Sequence, residues 1–234
     1  MFMRPLFLVP AALSLAALLG ACTTGTPQAP AAAAGATPDR SAMTFFVTSV
    51  NPGKGGDLGG LAGADAWCKG LADAVGAGRH TWRAYLSAPA TAGSPAVNAR
   101  DRIGKGPWTN ADGVVVARNL EELHGAANNI NAETGLTQLG ARVPMRPQVP
   151  NWHDIMTGSD PQGLLKTGVP DATCQGWTSA STGSAFVGHL NRTGINPDPV
   201  ANVSWNASHG TPGCSLPELA RVGGGGLFYC FAAD

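Results

Sequence analysis

The chain has 234 residues, of which 15 are Lys or Arg and 15 are Asp or Glu, so its formal net charge is zero. Charged residues make up only 13% of the chain, which argues against a nucleic-acid-binding protein, because such proteins carry a basic surface. The 32 glycines and 18 prolines predict many turns and loops and exclude a helical bundle.

The first 21 residues predict an export signal. Arg4 supplies a positive charge ahead of an apolar run at residues 5–19, which is shorter than the roughly 20 residues that cross a bilayer. The run ends in Leu-Gly-Ala-Cys, which resembles the bacterial lipobox, whose cysteine is diacylated. Cys22 is therefore the expected lipidation site and membrane anchor. The next residue is Thr23 and not an aspartate, which in lipoproteins of this type implies sorting to the outer membrane. A plain secretory signal is the alternative.

Residues 22–42 predict a flexible tether. The segment is rich in Ala, Pro, Thr and Gly and poor in bulky apolar side chains, so it buries too little surface to offset the conformational entropy lost on ordering. Residues 43–234 are long enough for one domain with a core of its own. The chain is therefore expected to hold a single domain beside the outer membrane.

The pattern of apolar residues in this domain predicts both strands and helices. Runs of β-branched and aromatic residues at 44–50 and 227–231 predict strands near its two ends. Helical spacing relates Leu61, Ala64, Cys68, Leu71, Ala72 and Val75, with Gly76 as the expected stop. Residues 82–87 alternate as a strand does, and residues 118–124 show a short helical pattern. The predicted fold class is therefore α+β, with long loops rich in Gly, Asn and Pro.

Apart from Cys22, the chain has four cysteines, which are Cys68, Cys174, Cys214 and Cys230. An even number in an exported domain predicts two disulfides, and four cysteines allow three pairings. A zinc site is the competing interpretation, but no two of these cysteines have the CxxC or CxxxC spacing typical of such a site. Spacing alone does not choose among the pairings.

A series of short motifs follows in order along the domain: "GGLAGADAWC" ending at Cys68, "WRAYLS" at 82–87, "AVNARD" at 96–101, "GPW" at 106–108, "GSDPQG" at 158–163, "CQGWTS" at 174–179, "GHL" at 188–190 and "LFYCF" at 227–231. In this order they resemble the endostatin-type branch of the C-type lectin-like fold, over nearly all of residues 45–232. The resemblance implies nested disulfides, Cys68–Cys230 outside and Cys174–Cys214 inside. It also implies a binding function, because similar exported bacterial proteins are usually called lectins.

The stretch "VSWNASHGTPGC" contains the start of a motif that calcium-dependent lectins use to bind sugars. Trp205 and Asn206 resemble the beginning of their Trp-Asn-Asp signature, but Ala207 replaces the aspartate, so a calcium ion loses a carboxylate ligand. Asn196 and Asp198 resemble a second triplet of that family, at a shorter spacing. Asn196, Asp198 and Asn206 are therefore weak calcium candidates, and no cofactor is expected.

The same stretch, residues 203–214, is predicted to be an exposed loop that binds a glycan directly, without calcium. The expected ligand-binding residues are Trp205, Asn206, Ser208, His209 and Trp177, whose aromatic faces and polar edges match what a sugar ring presents. The alternative is architectural: Trp205 is a core residue, and Asn206 bonds the backbone of a tight turn that leads into Cys214.

Other polar motifs are interpreted as structural. Asp160 in "GSDPQG" is expected to bond the backbone of a turn. His153 and Asp154 would begin a metal site, but no second histidine lies at helical spacing, so a single solvent-exposed histidine is predicted. Matches to the N-glycosylation pattern are interpreted as coincidence; they occur at Asn191, Asn202 and Asn206.

Sequence motifs of enzymes are missing from the chain. It contains no HExxH, GxSxG, phosphate loop or dinucleotide fingerprint. Ser208 and His209 are adjacent, which places them poorly for one to activate the other. The expected function is that of a lipid-anchored binding module for a glycan or an extracellular protein ligand, not that of an enzyme. A structural or protein-interaction role without saccharide specificity is the alternative.

Overall fold

The computed structural model describes residues 39–234. The expected signal segment, Cys22 and most of the expected tether lie outside the described residues. The strands are β1 (Phe45–Val47), β2 (Trp82–Ala84), β3 (Trp108–Thr109), β4 (Val115–Ala117), β5 (Asp154–Met156), β6 (Phe186–His189), β7 (His209–Gly210) and β8 (Gly224–Ala232). The helices are α1 (Gly60–Asp73), α2 (Leu120–His124), α3 (Cys174–Trp177), α4 (Pro199–Asn202) and α5 (Leu216–Val222). The predicted α+β class is confirmed, and no helix in residues 39–234 is both long and apolar enough to cross a membrane.

Strand β8 is the centre of the main sheet because its apolar run is buried on both faces. It pairs antiparallel with β1 and β2 and parallel with β5, and the sheet continues from β5 through β6 to β7. Leu227, Tyr229 and Phe231 belong to one core cluster, whereas Phe228 and Cys230 belong to the other. Alternate side chains of a strand point to opposite faces, so a continuous apolar run suits a strand between two cores.

Helix α1 packs through small side chains spaced four residues apart. Its buried residues are Ala64, Cys68 and Ala72, and positions i and i+4 lie on one face of a helix. The helix begins after Gly59, whose φ of 75° is left-handed and therefore suits glycine. The helix predicted from apolar spacing is confirmed.

The two disulfides are those that the resemblance implies. Cys68 of α1 is bonded to Cys230 of β8, and Cys174 of α3 is bonded to Cys214. The outer bond joins residues 162 positions apart, and the inner bond joins residues 40 positions apart. All four cysteines are fully buried, so both bonds lie within the core.

The edge formed by β5, β6 and β7 brings together polar residues that are far apart in sequence. Asp154 of β5 lies opposite His189 of β6, and Val187 of β6 lies opposite His209 of β7. These two registers place one carboxylate and two imidazoles on neighbouring strands. Their side chains meet in a polar cluster at this edge of the sheet.

Candidate functional site

The stretch at residues 203–214 is not the exposed loop that was predicted. Trp205 is only 3% exposed, and its ring packs 4.9 Å from the ring of Tyr85 and 5.1 Å from that of Tyr229. Its carbonyl accepts a hydrogen bond from the Tyr229 hydroxyl at 2.9 Å. Burial of an aromatic side chain stabilises a fold by roughly 3 kcal/mol, which favours the core over the surface for this indole. The prediction of an exposed loop was wrong, and the architectural alternative describes Trp205.

Trp177 does not form a stacking face with Trp205. Its side chain is fully buried, and its indole N–H donates to the carbonyl of Ser87 at 2.7 Å. The two tryptophans belong to different core clusters. The aromatic platform expected from the sequence is therefore not assembled.

The Asn206 side chain stabilises a turn and does not line a ligand surface. It is 1% exposed, and its amide nitrogen donates to the Tyr85 hydroxyl and to the Asp160 carbonyl, both at 3.0 Å. Its amide oxygen accepts from the Ser204 hydroxyl at 3.1 Å. The Asp160 carboxylate in turn accepts from the backbone N–H of Gln162, which confirms the predicted turn at "GSDPQG". Asn206 therefore bonds loop backbone, as its architectural interpretation predicted.

The weak calcium candidates serve local backbone groups. The Asn196 amide oxygen accepts from the backbone N–H of Asp198 at 3.0 Å. The Asp198 carboxylate caps α4 by accepting from the N–H groups of Val200 and Ala201. These contacts account for both side chains without a cation.

A second group of polar residues, here called the His–Asp cluster, consists of His153, Asp154, His189 and His209. The Asp154 side chain is fully buried. The Nε2 atoms of His153 and His189 each lie 3.4 Å from its Oδ1, and Nε2 of His209 lies 3.4 Å from its Oδ2. Ligand atoms of His153, Asp154 and His189 all lie within 4.8 Å of one another. These three residues are therefore the part of the described chain best placed to hold a metal ion.

In all three imidazoles Nδ1, the ring nitrogen farther from Asp154, lies close to an oxygen acceptor. Nδ1 of His153 lies 3.0 Å from Oδ1 of Asn191, an oxygen that also accepts the backbone N–H of Thr193. Nδ1 of His189 lies 2.8 Å from the Asn202 carbonyl, and Nδ1 of His209 lies 3.1 Å from the Gly210 carbonyl. An acceptor at Nδ1 retains the ring proton there and leaves the Nε2 lone pair free. In each neutral ring that lone pair is on the nitrogen nearest Asp154.

Burial and the Asp154 charge act differently on two of these histidines. Burial lowers the pKa of His189, outweighing the Asn202 carbonyl and the Asp154 charge, which raise it. Burial also opposes the charged form of His209, but the interaction with Asp154, its negative charge and the Gly210 carbonyl together outweigh burial, so the pKa of His209 is raised. The polar contacts of His209, chiefly those with Asp154, therefore overcome the effect of burial, whereas those of His189 do not.

Ser208, His189 and Asp154 have the residue types of a catalytic triad but not its arrangement. The Ser208 hydroxyl lies 3.1 Å from Nε2 and 3.2 Å from Nδ1 of His189, so it is almost equally close to both ring nitrogens. Asp154 lies nearest Nε2, whereas a triad aspartate accepts from Nδ1. Ser208 is also only 3% exposed. The geometry gives no reason to assign nucleophilic catalysis to it.

The sequence prediction of a lone, solvent-exposed His153 was wrong. Its side chain is 13% exposed, and its ring stacks on that of His189 with centroids 4.8 Å apart. The missed signal was that Asp154 and His189 are the end residues of apolar strands, a placement in which a buried polar residue needs a partner. The partner is supplied by the register of strand pairing, which the spacing of residues within one segment does not predict.

A shallow hollow lies at the same sheet edge as the cluster, with a cavity volume of about 430 Å³. It is lined by Val169, Pro170, Asp171, Gly183, Ser184, Phe186 and Gly210. Phe186 of β6 is opposite Gly210 of β7, one position from the pair formed by Val187 and His209. Because adjacent residues of a strand face opposite sides, the hollow and the His–Asp cluster lie on opposite faces of the same sheet edge.

No protein-family model matches the chain, and no curated protein is similar to it in sequence.

Proposed function

We propose that this chain is a binding module of the bacterial cell envelope, anchored in the outer membrane through acylated Cys22 and built on a C-type lectin-like fold of the endostatin branch. The lipobox and the tether-like composition of residues 22–42 support the anchor. The disulfide pairs Cys68–Cys230 and Cys174–Cys214 support the fold, since the resemblance implies this one pairing of the three that four cysteines allow.

The ligand we propose is a glycan, bound in the hollow at Phe186 and not at Trp205. The observation that carries this proposal is the composition of the hollow: an aromatic ring and two apolar side chains, Val169 and Pro170, next to the polar Ser184 and Asp171. A sugar ring has an apolar C–H face and hydroxyls at its edge, which such a surface complements. The volume of about 430 Å³ lies within the roughly 300–1,000 Å³ typical of small-ligand sites.

The residues around the hollow are held in place. The Lys166 ammonium lies 4.8 Å from the centre of the Phe186 ring and packs against it. Asp171 accepts from the backbone N–H groups of Thr173 and Ser184, so two segments of the rim are tied together. A surface that is ordered before binding loses less entropy when the ligand arrives.

A glycan array probed with the mature protein in detergent tests this proposal, with and without a chelator. We expect binding that the chelator leaves unchanged, because the calcium candidates serve backbone groups. Phe186→Leu keeps an apolar side chain but removes the aromatic face, and should lower binding about tenfold, as loss of one stacking contact would. Val149→Ala, at a highly exposed residue of another loop, is the control and should bind as the wild type does. A folded protein that binds no glycan contradicts the proposal.

A protein-interaction role is the second candidate. Its supporting observation is that residues 195–203 expose three apolar side chains, those of Ile195, Val200 and Val203, and exposed apolar groups on one segment are typical of contact surfaces. Ile195→Asp should then abolish cross-linking to an envelope protein while leaving glycan binding unchanged. Cross-linking that persists in this variant contradicts the second candidate.

A further inference from the structure

We propose that the His–Asp cluster is a binding site for a divalent transition-metal ion, with His153, Asp154 and His189 as ligands and His209 at its solvent side. The Asp154 carboxylate is buried, and neither of its oxygens accepts a hydrogen bond within residues 39–234. Buried carboxylates are otherwise paired, hydrogen-bonded or bound to metals. A buried carboxylate that lies 3.4 Å from three ring nitrogens without a hydrogen bond to any of them therefore points to a cation between them.

The orientation of the rings strengthens this inference. His153 and His189 keep their ring protons on Nδ1, facing Asn191 Oδ1 and the Asn202 carbonyl. The Nε2 atom of each ring then carries the lone pair and lies 3.4 Å from Asp154 Oδ1, so acceptors lie beside an acceptor. The Ser208 hydroxyl also lies 3.1 Å from Nε2 of His189. His209 lies beside the other oxygen, Oδ2, and therefore does not fill the space between the two Nε2 atoms and Oδ1. A metal ion between the two Nε2 atoms and Oδ1 would convert this repulsion into three bonds.

The distances from the Asp154 carboxylate to both histidines fit such an ion. Zinc–nitrogen and zinc–oxygen bonds of about 2.0–2.2 Å in a tetrahedron place neighbouring ligand atoms roughly 3.3–3.5 Å apart. The Nε2 atoms of His153 and His189 both lie 3.4 Å from Oδ1 of Asp154. His209 lies 3.4 Å from the other oxygen and is the most exposed of the three rings. It therefore lies at the solvent side of the site, next to the group of three ligands.

The surrounding groups also match a metal site. A histidine that binds a metal usually donates its other ring N–H to a carbonyl, carboxylate or amide oxygen, which fixes the ring. All three rings of the cluster have such an oxygen, from Asn191, Asn202 and Gly210. Imidazole nitrogens favour zinc, copper, nickel and iron, whereas calcium takes oxygen ligands. The class of ion is therefore a transition metal, and zinc is the probe of choice.

This site does not depend on the proposed glycan function. The hollow at Phe186 lies on the opposite face of the sheet edge, and Gly210 contributes to the hollow only through its backbone. Metal binding and glycan binding are therefore separate properties that can be tested one at a time.

Isothermal titration of the mature protein with Zn²⁺ tests the proposal, after chelator treatment and without a polyhistidine tag. We expect one ion per chain, no comparable heat with Ca²⁺, and a strong tetrahedral absorption spectrum when Co²⁺ replaces Zn²⁺. Asp154→Asn keeps the size of the side chain and should weaken zinc binding at least about 100-fold, because it removes a charged ligand. His80→Gln is the matched control, since His80 lies outside the cluster beside Asp234, and should bind as the wild type does.

A second variant keeps the result decisive if Asp154→Asn does not fold. Asn191→Ala removes the oxygen that orients His153 but leaves every ligand in place, and should weaken zinc binding about 10- to 100-fold, the usual loss for such a group. The proposal is overturned if the folded wild type takes up no zinc, or if Asp154→Asn and Asn191→Ala bind it as tightly as His80→Gln does.

Discussion

Asn206, Tyr85 and His124 form a hydrogen-bonded chain through the core. The Asn206 amide donates to the Tyr85 hydroxyl, which lies 2.8 Å from Nε2 of His124, and Nδ1 of His124 lies 2.8 Å from the Leu120 carbonyl. The directions agree when His124 is neutral: Tyr85 donates to Nε2, and the Nδ1–H donates to the carbonyl. Burial raises the pKa of Tyr85, so its hydroxyl keeps the proton that this chain needs. The residue that resembled a sugar ligand thus belongs to the interior.

His124 gives this chain a defined pH dependence. Burial lowers the pKa of His124, outweighing the raising effect of the Leu120 carbonyl, so the fold favours the neutral ring. Below an unfolded pKa of about 6.5 the unfolded chain binds more protons than the folded one, and stability falls as pH falls towards the lowered folded pKa. The stability advantage of wild type over His124→Gln should therefore be larger at about pH 8 than at about pH 5.

Urea unfolding at both pH values measures that difference. Gln148→Ala, at an exposed residue, is the control, and its small effect should not change with pH. An advantage that is constant, or that grows in acid, would show that protonation of His124 is not linked to folding.

At the scale of elements, β6 is positioned by a contact that only glycine permits. A Cβ at Gly188 would overlap the backbone of Trp205 and Asn206. Gly70 of α1 is the opposite case, because a Cβ there meets no atom within 4 Å. Gly188→Ala should therefore destabilise the protein by about 3 kcal/mol, whereas Gly70→Ala should stabilise it by about 0.5–1 kcal/mol through its better helix propensity.

Chemical unfolding of the two variants under one condition compares these effects. Zinc binding provides a second measurement, since Gly188 lies next to His189 in β6 and a displaced strand would also displace that ligand. If Gly188→Ala is as stable as wild type, the close approach of β6 to residues 205–206 does not exist in solution.

For the whole molecule, the sequence predicted those strands and helices that a local pattern of apolar residues determines. The apolar run at residues 227–231 lies in β8, and the helical spacing from Leu61 corresponds to α1. The predicted strands at residues 44–50 and 82–87 are real but only three residues long, because irregular backbone follows them. Both disulfides agree with the order of motifs that resembles a known fold.

The candidate sites were predicted less well because they depend on register and depth. Trp205 and Trp177 have the composition of a binding face, yet burial in separate cores suits their large rings better. His153, His189 and His209 are far apart in sequence and meet only through the pairing of β5, β6 and β7. A one-residue shift of that pairing would turn each side chain to the other face, and no local spacing encodes it.

The nested disulfides predict an order of stabilities for the whole domain. In the chain-entropy description, a bond across 162 residues stabilises the fold by about 5 kcal/mol and one across 40 residues by about 4 kcal/mol, each taken alone. The outer bond also joins α1 to the central strand β8. The double variant Cys68→Ala/Cys230→Ala should therefore lose more unfolding free energy than Cys174→Ala/Cys214→Ala, by about 1 kcal/mol. Urea unfolding of both variants, with the disulfide-bonded wild type as the common reference, gives this order. A reversed order would mean that the entropy of the unfolded chain does not decide the result. The inner bond would then stabilise the native packing, by holding α3 against Cys214, more than the outer bond destabilises the unfolded chain.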